Sequence, residues 1–303
     1  MRQDGAVPTG YCLVYLRNGA RSIRSLAEAE TFHPVIGPVA EAEALYVRQL
    51  RLAERVQATP GEFVIWDVGL GAAANALTAI RLIRESLRGE PAKLRIVSFD
   101  HTGAAAAFAL AHGAELGYLA GFETPLAELI ARRQTCFSNA GLTVDWSLEL
   151  GDFPAWLRQS PEHRSPNRRE SEFGAPIPHA ILFDPYSPKK NPAMWMVPLF
   201  AGLFRRLDPQ RPCALANYTR STMARVTMLL GGFFVGVGHP SGLKEETTVA
   251  ANRRDLLAEP LDRRWLERAK RSHSAEPLSG PVYRTAPLSP ESIERLQQHP
   301  QFS

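Results

Sequence analysis

Four aspartates stand where short apolar runs stop: Asp67, Asp100, Asp152 and Asp184. A carboxyl accepts several hydrogen bonds and, when ionised, steadies a nearby cation. The segment around the last is the richest in chemistry. Residues 181–195 read Ile-Leu-Phe-Asp-Pro-Tyr-Ser-Pro-Lys-Lys-Asn-Pro-Ala-Met-Trp. Pro185, Pro188 and Pro192 each fix φ and remove a donor, so the loop after Asp184 is stiff. It presents a carboxyl (Asp184), a phenol (Tyr186), an amide (Asn191) and an indole (Trp195) at a strand end, where open α/β sheets bind ligands. An isolated Asp-Pro could equally turn a corner and cap a helix. Four acids at successive strand ends, facing one rim, are harder to read as caps.

The second feature is Asp67-Val-Gly69-Leu-Gly71-Ala-Ala-Ala74, between an apolar run and an alanine-rich helical stretch. Glycines let the backbone approach a ligand, and the helix start offers N–H groups. Gly-x-Gly-x-x-Ala by itself fits a nicotinamide fingerprint as well as a nucleoside loop. Two details weigh against a pyrophosphate. Asp67, two residues before Gly69, would repel one. The next strand-end acid, Asp100, lies 29 residues beyond Gly71, against about 20 in dinucleotide folds. Asp100 is suited to accept from both ribose hydroxyls, and Asp152 from an adenine amino group.

The elements that must position these groups alternate. Residues 63–68, 94–99, 142–150, 179–183 and 213–218 read as strands, and 72–88, 103–119, 125–139, 153–159, 194–207 and 221–230 as helices. A strand pair over 233–237 and 247–251 closes the series. This is an α/β fold, a mostly parallel sheet with helices on both faces and an antiparallel strand near one edge. Before it stand a hairpin turned by Asn18-Gly19 and a helix over 38–57 started by Pro38. Residues 160–178 read as a surface loop, and the last 25 or so as a loosely held tail. The expected division is 1–60 for hairpin and helix, 61–255 for the main domain and 256–303 for a C-terminal extension.

Composition bounds the rest. The 303 residues are 45% hydrophobic, enough for a sizeable core, and the net charge of +4 is compatible with a nucleic-acid partner. Cys12, Cys136 and Cys213 lie far apart with no Cys-x-x-Cys, which argues against a zinc ribbon or disulfide framework and for a reducing, cytoplasmic setting. Cys136 and Cys213 read as packing residues. No run approaches a membrane span and no apolar leader opens the chain. No metal and no membrane partner are expected, and oligomeric state is not legible.

The pattern resembles the Rossmann-like class I methyltransferases that use S-adenosyl-L-methionine, with their seven-stranded sheet. More closely, it resembles the methyltransferase half of the bacterial enzyme that completes the methylaminomethyl group on the wobble uridine of tRNA. The similar segments are Glu30 to Pro38 with Glu41-Ala42, the loop Asp67 to Asn75, Ser98-Phe99-Asp100, Gly151-Asp152, Asp184 to Trp195, Tyr218-Thr219 and the stretch Gly238 to Glu245. The resemblance implies that Asp67, Gly69, Gly71, Asn75, Asp100, Asp152 and Asp184 surround the cofactor. It implies that Asp184 also takes the proton of the attacking amine, and that Tyr186, Asn191, Trp195, His33 and Glu30 shape the acceptor pocket. Lys244, with Lys189 and Lys190, would meet RNA phosphates. The implied reaction is N-methylation of the aminomethyl group of tRNA wobble uridine. A small-molecule or protein amine is the alternative acceptor, an NAD-dependent oxidoreductase the alternative enzyme, and an RNA-binding module with a decayed cofactor site the alternative to an enzyme. Ala73 stands where the family commonly has a third glycine, Asp100 where it often has Glu, and the family's oxidase half has no counterpart in this sequence. The Arg253 to Arg271 stretch is a second candidate for phosphate contact.

Overall fold

The structure is a computed structural model that describes residues 10–159, 175–242 and 245–303. Most of the 160–178 loop, and Lys244, lie outside the described residues. The chain forms two compact units: the first holds the described residues up to Gly151 with Ser241 and Gly242, the second the remainder.

The first unit opens with an antiparallel sheet of β1 (Tyr11–Tyr15), β2 (Arg21–Ser25) and β3 (Glu30–Thr31). Asn18-Gly19 turns its hairpin as expected, with Gly19 at φ 82°. The span read as one helix over 38–57 is broken into α1 (Pro38–Ala42), a π-helical stretch (Glu43–Arg48) and α2 (Leu52–Ala58). Arg51 at φ 50° interrupts it. The wider π turn and this break together keep Leu45, Tyr46, Leu50, Leu52 and Val56 all buried.

Next come β4 (Glu62–Val68), α3 (Ala74–Ser86), β5 (Ala92–Asp100), α4 (Ala104–Ala111), α5 (Gly113–Leu116), α6 (Glu123–Arg132), β6 (Gln134–Asn139) and β7 (Leu142–Leu150). β4 runs parallel to β5, and β5 to β7. In β4, Phe63, Val64, Ile65, Trp66 and Val68 are buried on both faces, the unbroken apolar run of a central parallel strand. Each such side chain contributes roughly 1.5–3 kcal/mol. Ala74, Ala76 and Ala79 of α3 are buried too, so the helix rides close to its neighbours.

The helix expected over 125–139 ends at Arg132. Arg133 adopts φ 65° and closes the last turn through its N–H to the Leu129 carbonyl. The following residues form β6, antiparallel to β7, with Asn139 paired to Leu142. Ala140 and Gly141, at φ 48° and 84°, make the two-residue turn. Among the described residues this makes β4 to β11 eight strands, where the sequence predicts seven. β6 carries Cys136 outward, so that cysteine is exposed and not a packing residue, while Cys213 is buried as expected.

The second unit contains α7 (Phe153–Arg158), β8 (Ala180–Phe183), a 3-10 turn (Pro192–Trp195), α8 (Val197–Arg206), β9 (Ala214–Asn217), α9 (Thr222–Leu230), β10 (Phe234–Gly238) and β11 (Thr247–Ala251). A second 3-10 turn (Arg254–Leu256), α10 (Arg263–Lys270) and α11 (Pro290–Gln297) follow. β8 and β9 are parallel, β9 and β11 antiparallel, β11 and β10 antiparallel.

The C-terminal end is docked, contrary to the loose tail expected. Gln301 accepts from the Val235 N–H at 2.7 Å and donates to the Val235 and Leu261 carbonyls at 2.7 and 2.8 Å. Its amide stands in for a neighbouring peptide and seals part of the outer side of β10. Leu296 and Phe302 are buried with it.

Candidate functional site

In the first unit the site grows from the turn between β4 and α3. Gly69 at φ 98° and Gly71 at φ 51° put the chain in conformations that only glycine adopts without strain. The Gly69 and Leu70 N–H groups both donate to the Phe99 carbonyl, at 2.9 and 3.2 Å, which ties the turn to the end of β5. The Gly71 N–H donates to Asp100 Oδ2 at 2.9 Å, and the Thr102 N–H to Asp100 Oδ1 at 3.2 Å. Burial pushes the Asp100 carboxyl above its ordinary pKa, against the pull of the Gly71, Thr102 and His101 backbone groups.

Asp67, one residue before the end of β4, is fully buried. Its Oδ2 accepts from Ser98 Oγ at 2.7 Å, and the Trp146 indole N–H donates to the same Ser98 oxygen at 2.9 Å. Three adjacent strands thus fix the orientation of one carboxyl. Tyr118 donates its hydroxyl to the Ala72 carbonyl at 2.9 Å, from a site buried enough to raise its pKa. Asn75 is buried in the first turn of α3.

A wall of aromatic side chains stands beside this turn. The Phe32 ring lies 3.6 Å from the point a Cβ on Gly71 would occupy. Its backbone is fixed on β2 from both sides: the Phe32 N–H donates to the Ile23 carbonyl at 2.8 Å, and Ser22 Oγ donates to the Phe32 carbonyl. Tyr11 packs against Phe32, and its raised pKa reflects burial first and then the nearby Asp100 charge. His33 follows at φ 46°, with Nδ1 4.0 Å from the buried Glu41. Burial lowers the His33 pKa, and Glu41 opposes that shift. Glu30 is half-buried on β3, opposite Ser25.

In the second unit, Asp184 follows β8 directly and is half-buried. The loop behind it is held by more than its prolines. Tyr218 donates its hydroxyl to the Pro185 carbonyl at 3.0 Å, and the Trp195 indole donates to the Tyr186 carbonyl at 2.9 Å. The Lys190 and Asn191 N–H groups share the Ser187 carbonyl, each at 2.8 Å. Tyr186 and Asn191 are half-buried. Trp195 is enclosed at 0% exposure, edge-on to Phe183 and Tyr218, so it supports the loop from beneath and is no open wall. Asp152 is the N-cap of α7, its Oδ2 accepting from the Ala155 N–H at 3.0 Å. The helix-cap reading therefore holds for this one of the four acids.

The donor set fits an adenosyl ligand. The Asp100 oxygens accept from the Gly71 and Thr102 N–H groups, and a carboxylate has lone-pair capacity beyond these for a ribose hydroxyl. The turn beside it is left-handed at Gly69, Gly71 and also Ala73, at φ 62°. Among the described residues no cluster of three or more His, Cys, Asp or Glu could hold a metal ion, and no helix is long and apolar enough to cross a membrane. Sequence reading missed Tyr11, Phe32, Ser98, Tyr118 and Trp146. Of these, Phe32 and Ser98 sit inside segments already singled out; the others carry no local signal.

Comparison with known proteins gives the chemistry. The chain is 28% identical over 219 residues to the tRNA 5-methylaminomethyl-2-thiouridine biosynthesis bifunctional protein MnmC of Aeromonas hydrophila subsp. hydrophila. That alignment takes in 69% of this chain and 30% of the relative, so the chain spans less than a third of the relative's length. The crystal structure of MnmC2 from Aquifex aeolicus superposes with a TM-score of 0.64 at 20% identity, covering 96% of this chain and 84% of that one. It shows the shared fold, a Rossmann-like α/β arrangement of mostly parallel strands. A family model described as S-adenosyl-L-methionine-dependent methyltransferase matches residues 172–253. The nicotinamide reading of the glycine turn gives way to that match. Because it falls on the strand and loop that carry Asp184, the comparison makes this chain an S-adenosyl-L-methionine-dependent methyltransferase.

Proposed function

We propose that the enzyme N-methylates the aminomethyl group of a tRNA wobble uridine. The observation that carries this reading is the Asp184 to Trp195 loop, held rigid by Tyr218 and Trp195, within a chain similar to the methyltransferase part of the MnmC relative. The cofactor, when bound, supplies a sulfonium methyl group. In this reading Asp100 accepts from the ribose hydroxyls, and Asp67 with the Gly69–Gly71 turn and Asn75 borders the methionine part.

The acceptor amine must be neutral to take up that methyl group, and its nitrogen would then shed a proton. Asp184 accepts a hydrogen bond from the amine, which aims its lone pair, and takes up the proton directly or through water. Tyr186 and Asn191 border the acceptor. Trp195 holds the carbonyl of Tyr186 and so fixes the loop. Lys244 meets an RNA phosphate. The setting is cytoplasmic, and the division into 1–60, 61–255 and 256–303 describes the domain plan.

The test is mass spectrometry of tRNA nucleosides from a deletion strain, with wild type and Asp184→Asn returned on a plasmid. Accumulation of the unmethylated aminomethyl nucleoside, corrected by wild type and not by the variant, is expected. Unchanged tRNA nucleosides would move the acceptor to a small-molecule or protein amine.

A further inference from the structure

Basic side chains of the second unit fall into two groups. Several are committed to structure: Arg253 pairs with Asp255 at 2.7 Å, Lys270 with Glu267 at 2.7 Å, and Arg263 donates to the Phe302 carbonyl at 2.8 Å. Arg264, Arg268 and Arg271 are exposed, and no acid pairs with any of them among the described residues. They stand at i, i+4 and i+7, one side of α10 and its last turn. Along the axis that puts them at about 0, 6 and 10 Å. Trp265, Leu266 and Ala269 are buried on the opposite side and lock the helix in place, and Asp262 caps it by accepting the Trp265 N–H at 2.8 Å.

Val237 donates to the Glu259 carbonyl and Leu261 to the Val235 carbonyl, so the chain enters α10 running back along β10, away from its C-terminal end. Arg268 nonetheless lies close to Arg225, whose pKa is lowered by burial first and by Arg268 in addition. The Arg225 guanidinium donates to the Thr247 carbonyl and Thr248 Oγ1, and Thr247 pairs with Gly238 at the end of β10. The Arg225 guanidinium therefore sits at the C-terminal end of β10. β10 runs in the same direction as β9 and β8, so this is the end of the unit that carries Asp184.

We propose that Arg264, Arg268 and Arg271 form a stripe that binds the phosphate backbone of the RNA substrate. This rests on the tRNA reading above. Arginine's planar fork matches phosphate oxygens. Regular spacing on a rigid helix suits a repeating anion. A lipid surface fits less well, because the apolar face a membrane-lying helix would insert is used up inside the protein.

The experiment is tRNA binding by the full chain over a salt series, wild type against R264Q/R268Q/R271Q, with S-adenosylhomocysteine binding as the check that the variant is folded. Each phosphate contact adds about 0.7–0.9 to the slope of log affinity against log salt. The variant slope should be shallower by about two to three, with affinity at low salt down roughly tenfold or more and S-adenosylhomocysteine binding unchanged. Wild-type binding with the same slope and affinity in the variant would overturn the stripe and leave the tRNA reading standing. No tRNA binding by wild type would sink that reading itself. Stripe-dependent binding to phosphatidylserine vesicles, with tRNA binding unaffected by the substitutions, would overturn the assigned partner.

Discussion

Asp100→Asn tests the cofactor site most directly, because Asp100 does two things at once. Its oxygens hold the Gly71 and Thr102 N–H groups, and in the proposed cofactor pose their remaining lone pairs accept from the ribose. An asparagine keeps one oxygen and turns an NH2 toward the other partner. One backbone N–H then loses its acceptor, a cost of about 1–3 kcal/mol to the free protein. One ribose hydroxyl loses a hydrogen bond to a charged group, worth about 1.5–3 kcal/mol. Only the second loss depends on ligand, so S-adenosylhomocysteine should bind roughly ten- to a hundredfold more weakly. The pH dependence separates this from general damage. Burial raises the Asp100 pKa, and the ligand binds the ionised form, so wild-type affinity should rise with pH through that raised value and level off above it. In the free protein the sign is reversed. The stability the protonated group contributes is fully present below its unfolded value, near 3.8, and is lost as pH rises through the folded value. Titration calorimetry between pH 4 and 8, in roughly unit steps, reads the binding arm, and Asp100→Asn should remove its acid limb. Binding within twofold of wild type at pH 8, or an unchanged acid limb, would refute the assignment.

Two further outcomes follow from buried hydrogen bonds. Ser98→Ala deprives the Trp146 indole and Asp67 Oδ2 of a shared partner, at about 1–3 kcal/mol each; denaturant unfolding should show a loss of about 2–5 kcal/mol that Ser98→Thr largely restores, and a loss under about 1 kcal/mol would show the relay is idle. His299, whose pKa burial lowers to about 4, accepts the Gln301 N–H on Nδ1. Its folded value lies below the unfolded 6.5, so the stability it contributes is full above that value and is lost as pH falls through about 4. Hydrogen exchange should show the C-terminal segment loosening over that window in wild type and not in His299→Gln.

Of the strands that carry the site, β4 and β8 were legible as apolar runs and β7 as an apolar–polar alternation, and each strand stops at or beside an acid or a glycine. The same cue failed where local signals competed. Leu126 and Leu129 continue a helical spacing, and nothing in composition marks Arg133 as the residue that turns left-handed. Once it does, Gln134 to Asn139 can only extend, and the Ala140-Gly141 turn folds them onto β7. The C-terminal segment looked loose because its anchors are few and polar. Gln301 has no hydrophobic pattern to announce it, yet its one amide satisfies three backbone groups of the β10 edge and the chain beside it.

The site was legible to the extent that its groups lie next to one another in sequence. The glycine turn and the Asp184 loop declare themselves, because both are continuous segments with special backbone demands. The residues that hold them do not, because they come from afar: Tyr118 is 46 residues from the carbonyl it clamps, and Trp146 is 48 from Ser98. Ala73 shows how the two kinds of information meet. Read alone, it is a departure from a glycine the family commonly has there. In the structure it stands at φ 62°, fully buried, where an alanine bears about 1–2 kcal/mol of left-handed strain. Its N–H is held by the Leu70 carbonyl and its carbonyl by the Leu77 N–H. Those bonds, with the Tyr118 clamp on Ala72, keep the turn in shape despite the missing glycine. In this chain the backbone conformation of the turn is kept with an alanine at that position, because neighbouring hydrogen bonds enforce it.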